Sequence, residues 1–518
     1  VASILSGVAR SVAGYPALGT RDELGHGQEL EAVIITAMDW WRPAGGTLLE
    51  WHPTADAARL AGQAPADAGP VSFLQENHVR GAHAACRAGN DHKAYLGSGT
   101  EIDGDLDQAA MTRALCAFVR RHDGLRTYFG TNGIEVTRHV VDPAAIDFDV
   151  CVAGSFGEES QFREYLHGRF GTEATTTDWP GFAFGAISRP GSFTIYYGCD
   201  HALTDGASMA LALTEIAELY DAEIHSAEPA GFASAPAGSF LDHARMEAEA
   251  AQSFTPDSPE VLEWLEIFTA HGRTMPGFPL DLGLGPGETA QVRPIELDLL
   301  DSAGIERFER VCKGVGTTLV SGIYAAVAVT EYELASRPDY FGITVLNTRT
   351  PDGFALSQGW FCAFAPVAFN VSQSDSFTGL LPTAQAGYAR AKRLAAVPTP
   401  VVLGALIAAG AALEDIVKSP NLLSYLDFRR FPGAGRPAYD RGVLFTGEGR
   451  TANASMWFNR DNSRLYLGSQ TPDTTVAQLQ VKRYHEHLWN VINSVARDGD
   501  YAVSERCPEE STLARHHD

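Results

Sequence analysis

The sequence predicts a layered α/β (α+β) protein made of two core-forming halves. Three observations carry that expectation. The chain has 518 residues, more than one hydrophobic core of about 250 to 300 residues can organise. Strand-like and helix-like periodicities alternate in both halves, the pattern of sheets covered by helices. Between them, from about residue 225 to 295, the chain loosens into stretches such as EPAGFASAPAGSF and PGFPLDLGLGPGETA. The division that follows is an N-terminal extension packed on the body (1–69), an N-terminal subdomain (70–235), a connector (236–295), a C-terminal subdomain (296–505) and a tail (506–518).

Composition narrows the class. Apolar residues make up 45% and charged residues 20% of the chain, values of a globular protein and not of a disordered one. A formal net charge of −25 speaks against nucleic-acid binding, which needs surplus Lys and Arg. No uncharged apolar run reaches about 18 residues, so no transmembrane helix is expected. The first residues lack a basic region before a compact apolar segment, and a cytoplasmic protein is expected. Cys86, Cys116, Cys151, Cys199, Cys312, Cys362 and Cys507 are odd in number and form no CxxC pair, which fits reduced thiols.

The elements follow in order. Residues 1–69 are rich in Ala, Gly and Pro, hold the pair Trp40 and Trp41, and show little periodicity beyond VIITAMDWW. In EIDGDLDQAAMTRALCAFVRRHDGLRTYF (101–129), Met111, Leu115, Phe118, Val119 and His122 share one helix face that Gly124 closes. FAFGAISRPGSFTIYYGC (182–199) reads as a hairpin turning at Pro190-Gly191. After DHALTDG, the residues Met209, Leu213, Ile216 and Tyr220 mark an amphipathic helix. PEVLEWLEIF (259–268) is a short helix inside the connector, and GLGPG (283–287) is a loop because it does not follow a strand. The second half predicts a strand at 291–299, helices at 304–314 and 317–334, a strand at 340–348, the apolar run 359–371, a helix ending near Leu394, and strands around 442–468.

Chemistry is read against its plainer alternatives. The chain holds neither GxSxG nor GxxxxGK[ST], so a serine elbow and a Walker loop are excluded. His201, between Gly198 and Gly206 at a strand-to-helix turn, can present one ring nitrogen to a cleft. Composition alone leaves open whether it is catalytic or a turn histidine. In YHEHLW (484–489), His485 and His487 point different ways on a helix, so they and His516 and His517 are expected to be solvated, and no metal site is expected. Arg429, Arg430, Arg436, Arg441, Arg450, Arg460 and Arg464 form a locally basic run. It suits the phosphates of coenzyme A or phosphopantetheine, although ion-paired surface arginines are the commoner case.

Two motifs together carry a resemblance. RHDGLRTYF (121–129) resembles the RHExLRTxF signature of the condensation-domain superfamily, and DHALTDG (200–206) its HHxxxDG signature with Asp200 in place of the first His. FGITVLNTRTPDGFALSQGWFCAFAPVAFNV (341–371) is similar to the strand, Arg, loop and Gly-aromatic-Phe segment of that family's second half. The single motif His, PVSFLQENHVR (70–80), LLSYLDFRR (422–430) and SMWFNR (455–460) look most like the polyketide-associated acyltransferases, which esterify hydroxyls of sugars, glycols or related lipids.

The resemblance implies two chloramphenicol-acetyltransferase-like subdomains in a V, with the motif His in a tunnel between them. It implies His201 as general base, a role that a neutral imidazole with a pKa of about 6.5 suits. Asp205 would pair with Arg349 and support the site, in preference to orienting the imidazole as a triad acid does, and Gly206 would let the chain turn tightly. The implied donor is an acyl-CoA or a phosphopantetheine thioester, any acyl carrier protein being a separate partner, with no permanently bound cofactor. The implied acceptor is a sugar, polyol or polyketide-type alcohol. Trp360, Phe361, Tyr425 and Trp457 are candidates for the substrate wall, each equally placed to be core. The alternatives are an N-acyltransferase or condensation-type amide former, and a non-catalytic carrier-recruitment module; the presence of His201 speaks against the latter.

Overall fold

The computed structural model describes residues 34–504 apart from 39–40, 90–92, 158, 351–352, 373, 417–418 and 448. Most of the expected N-terminal extension before Ile34, Trp40, and the tail with Cys507, His516 and His517 lie outside the described residues.

In chain order the strands are β1 (Ile34–Ala37), β2 (Gly46–Pro53), β3 (Tyr95–Asp103), β4 (Thr127–Thr131), β5 (Val136–Val140), β6 (Phe148–Phe156), β7 (Phe182–Arg189), β8 (Ser192–Asp200), β9 (Ala290–Asp301), β10 (Asp339–Asn347), β11 (Cys362–Asn370), β12 (Leu422–Asp427), β13 (Val443–Thr446), β14 (Arg450–Thr451), β15 (Ser455–Arg460) and β16 (Arg464–Pro472). The helices are α1 (Ala55–Ala61), α2 (Phe73–Arg87), α3 (Gln108–Arg121), α4 (Glu159–Glu173), α5 (Gly206–His225), α6 (Phe240–Gln252), α7 (Pro259–Ala270), α8 (Ser302–Gly314), α9 (Leu319–Ala335), α10 (Phe377–Leu394), α11 (Thr399–Ala408), α12 (Leu413–Ile416), α13 (Pro437–Asp440) and α14 (Thr475–Asp498). Two seven-stranded sheets result, ordered β1-β13-β3-β8-β7-β2-β6 and β11-β10-β12-β15-β16-β9-β14, beside the ribbon β4-β5.

The local signals act as their chemistry demands. Asp107 caps α3 by accepting from the Ala110 amide at 2.9 Å, and Met111, Leu115, Phe118 and Val119 are fully buried beneath it. The helix ends at Arg121, before Gly124, because His122 turns to extended backbone. Gly191, at φ 78°, closes the β7-β8 hairpin. Met209, Leu213, Ile216 and Tyr220 seat α5 in the first core.

Three features depart from expectation. Gly46–Pro53 is an internal strand between β6 and β7 and not part of an appended extension. Leu49 and Trp51 enter one core while Leu48 enters another, so burial on both faces erases the alternation that marks a strand. The connector contains a helix, α6, that the loose composition hides. Val443–Thr446, far along the second half, joins the first sheet parallel to β1 and antiparallel to β3. Phe428, Tyr439, Leu444 and Tyr466 accordingly pack in the first core, while a second core lies among α7 to α11, α14 and the second sheet. Among the described residues no single helix is long and apolar enough to cross a membrane.

Candidate active site

Strand β8 ends at Asp200, and the next three residues, His201–Leu203, form a 3-10 turn before α5 begins at Gly206. Asp200 caps that turn by accepting from the Ala202 amide at 2.8 Å, and the His201 amide donates to the Ala94 carbonyl at 2.9 Å. His201 Nδ1 lies 2.9 Å from the Thr204 carbonyl oxygen. A carbonyl oxygen only accepts, so Nδ1 carries the hydrogen and Nε2 keeps its lone pair. The indole of Trp360 stacks on the imidazole at 4.2 Å and 29°. Burial pushes the proton affinity of His201 down, and His78 adds to that, against the Thr204 carbonyl.

Asp205 caps α5, its Oδ1 accepting from the Ser208 amide at 2.8 Å. Arg349 reaches it from the second half, Nη1 donating to Oδ2 at 2.6 Å and Nη2 to Oδ1 at 2.8 Å, and the Phe361 amide donates to Oδ2 at 2.9 Å. Among the described residues no hydrogen bond joins Asp205 to His201. Burial alone would raise the Asp205 carboxyl, but the Arg349 guanidinium and the Ser208 and Phe361 amides outweigh it and hold the group below the usual carboxylate range. Ser208 completes the seam, its hydroxyl donating to the Gly359 carbonyl at 2.9 Å and accepting from the Gly359 amide at 3.1 Å. Gly359 has to be glycine: a Cβ there would stand 2.1 Å from the Phe240 ring. Phe361, fully buried with Phe240 and Phe354, is core and lies under the Arg349 guanidinium at 4.3 Å. His243 packs among the same rings, and burial followed by the nearby Arg349 pushes its pKa down to about 4.

The RHDGLR run is a mechanical hub. Arg121 Nε and His122 Nε2 converge on the buried Glu215 of α5 at 2.8 and 2.9 Å. Arg121 also donates to the Phe232 and Ala233 carbonyls, at 2.8 and 2.6 Å, and Asp123 accepts from the Phe240 amide at 2.8 Å. The motif thus ties α5 to the entrance of the connector.

Several other expectations are corrected. Gly206 does not have a positive φ, and a Cβ on it would meet nothing within 4 Å, so the turn under His201 does not need it. Tyr425 shares the sheet face of Leu423, Met456 and Phe458 and packs in the second core. Trp457, registered with Ser424, projects from the opposite face, and neither ring touches His201. His485 is 2% exposed, its pKa pushed down to about 4 by burial, and His487 holds Glu333 at 2.6 Å, so neither is a solvated surface residue. The basic run is paired as well. Arg429 and Arg430 meet Asp427, Arg436 meets Glu218, Arg441 meets Asp103, Arg460 meets Glu309, and Arg464 meets Glu296 and Asp298. Arg450 donates to Thr289. Among the described residues each arginine of the run thus has a partner within the protein, while Arg430 stays largely exposed. Glu50, His52 and Cys151 bring metal-type donor atoms within 4.8 Å of one another, but Glu50 is already bound to His52 and Tyr165.

Sequence reasoning missed His78 and Glu215. Gln75 and His78 of α2 grip the His201 turn, Gln75 Nε2 donating to the Ala202 carbonyl at 3.0 Å and His78 Nε2 lying 2.9 Å from Asp200 Oδ1. The one signal was a buried acid, Asp200, standing where the motif has a histidine; it needed a partner.

Fold and site define a two-half enzyme of the condensation type, and similarity to known proteins agrees. The condensation-domain family model matches residues 87–410. The chain is 34% identical over 373 residues to the 2'-acyl-2-O-sulfo-trehalose (hydroxy)phthioceranyltransferase PapA1 of Mycobacterium tuberculosis, covering 71% of this chain and 70% of that one. It is 28% identical over 480 residues to the acyltransferase PapA3 of the same species, covering 90% and 98%. The solved PapA2 acyl transferase superposes with a TM-score of 0.80 at 26% identity over 89% of this chain and 99% of that one. The first condensation domain of the calcium-dependent antibiotic synthetase, at TM-score 0.64 and 18% identity over 85% and 98%, shares the fold. The chain belongs to the condensation-domain family and has its chloramphenicol-acetyltransferase-like fold; it is an acyltransferase.

Proposed function

We propose that this acyltransferase moves an acyl group from a coenzyme A or carrier-protein thioester to a hydroxyl of a sugar-type acceptor, with His201 as general base. The observation that carries the reading is the hydrogen bond from His201 Nδ1 to the Thr204 carbonyl, which leaves Nε2 able to take a proton. A thioester carbonyl is already activated, so the task left for the protein is to make a hydroxyl nucleophilic near neutral pH. Nε2 takes the hydroxyl proton as the oxygen attacks the carbonyl carbon. The C–S bond then breaks, and the same nitrogen returns the proton to the departing thiolate. Asp205 and Arg349 hold the turn that aims the ring; Trp360, stacked on the imidazole, contributes to the substrate wall. The sugar acceptor is supported by the relatives, since the names of PapA1 and PapA2 state action on sulfated trehalose.

Purified protein offered long-chain acyl-CoA with trehalose 2-sulfate, trehalose and an amine acceptor tests the reading. Ester formation is expected, reduced about 100- to 10,000-fold in His201→Ala. Undiminished acylation by His201→Ala would overturn it, and an amide product would favour N-acyl transfer.

A further inference from the structure

Asp200 brings a carboxylate into the turn that carries His201, at the position where the resembling motif has a histidine. A buried charge of that kind needs a counter-charge. His78 meets it, Nε2 to Oδ1 at 2.9 Å, with the two side chains only 7% and 4% exposed. The His78 ring also stands edge-on to the Trp360 indole at 5.9 Å, and that same indole stacks on His201 at 4.2 Å. One tryptophan therefore contacts two imidazoles, one paired with a carboxylate and one bonded to a carbonyl.

We propose that His78, clasped by Asp200 and packed against Trp360, is a positioning residue for His201 that replaces the motif's missing first histidine and shields the base from the Asp200 charge. The inference rests on the reading of His201 as the base. An uncompensated carboxylate beside His201 would stabilise the imidazolium and take the base out of action as the pH falls. His78 engages Asp200 and opposes protonation of His201, whose proton affinity is lowered first by burial and then by His78. The other charged groups around the turn are accounted for. Asp205 is paired with Arg349 and still acts on His201 in the sense opposite to His78, His243 of α6 faces Arg349 and Asp205, and Glu247 of α6 accepts from the Phe73 amide at the start of α2.

The midpoint measurement needs no substrate. Diethyl pyrocarbonate modifies only unprotonated imidazole, and peptide mass spectrometry of the modified full chain gives the pH midpoint of His201. The midpoint is expected to move up in His78→Gln, which leaves Asp200 uncompensated, and to move back down when Asp200→Asn is added. Melting curves on both proteins, and on His78→Asn as a second single variant, establish that the folded state is being read. An unchanged midpoint in His78→Gln and His78→Asn, or a double variant that stays where the single one is, overturns the proposal. Activity of His201→Ala is measured alongside. If that variant stays active, the general-base reading fails; if it is inactive and the midpoints do not move, only the role of His78 fails.

Discussion

Asp205 and Arg349, 144 residues apart in sequence, form a two-pronged ion pair whose side chains are 8% and 6% exposed. It fastens the start of α5 to the loop after β10. Removing either partner strands the other charge in a dry site, so Asp205→Ala and Arg349→Ala are each expected to lose about 3–5 kcal/mol of stability. The double variant should lose clearly less than the sum, as a double-mutant cycle in urea will read. Because the folded pKa of Asp205 is depressed, the pair stabilises fully above the unfolded value of 3.8 and is lost as the pH falls through the folded one. The stability gap between wild type and Asp205→Asn should therefore close on acidification. An Asp205→Ala protein that melts normally yet is inactive would instead assign Asp205 to orienting the imidazole.

The acid limb of kcat/KM is expected below the ordinary histidine value of 6.5. Burial disfavours the charged imidazole and His78 adds to it, so the base form persists to lower pH than for a free histidine. A pH–rate profile with any productive acceptor checks this, and a limb at or above 6.5 contradicts it.

Two glycines near the site should behave in opposite ways. Gly206→Ala places a methyl in open space at the first residue of a helix, and is expected to melt no lower than wild type. Gly359→Ala drives a methyl into the Phe240 ring and should lose about 1–3 kcal/mol. Differential scanning calorimetry of both proteins separates them, and any activity lost by Gly206→Ala then reports on substrate passage and not on folding.

Glu215 is 0% exposed and answers both Arg121 and His122. Glu215→Gln keeps an acceptor oxygen but removes the charge. It is expected to loosen the attachment of the 232–240 segment, seen as faster amide exchange there, together with a lower melting temperature.

His485 has its pKa pushed down to about 4 by burial. The unfolded chain then binds the proton more readily than the folded one below 6.5, so stability is complete above that value and declines as the pH falls toward 4. His485→Leu should flatten urea-derived stability across that window, by up to roughly 3 kcal/mol at its acid end.

Legibility in the sequence followed the range of the interactions. The β7-β8 hairpin, the turn at His201 and α5 were readable because short-range periodicity and turn chemistry specify them. β2 was not, since a strand buried on both faces carries no alternation. Within the site, His201 and Asp205 announced themselves by spacing within one run. His78, Glu215 and the placement of Tyr425 depend on partners distant in sequence, Asp200, His122 and the neighbouring strand register, and a one-residue change in register reverses which face a ring occupies. That the arginines would be paired was the commoner expectation, but their partners were not legible: a basic run shows its charges but not the carboxylates that reach it from other elements.

The placement of β13 has a consequence for biosynthesis. Its Phe445 covers the bare backbone of Gly97 on β3, where a Cβ would lie 1.9 Å from the ring. Until the ribosome has delivered β13, β3 lacks the strand that pairs this edge and the ring that fills the hollow over Gly97. The nascent first half must wait for its last strand, an aggregation hazard, and a protein cut near the connector should be insoluble alone and rescued by co-expression of the remainder.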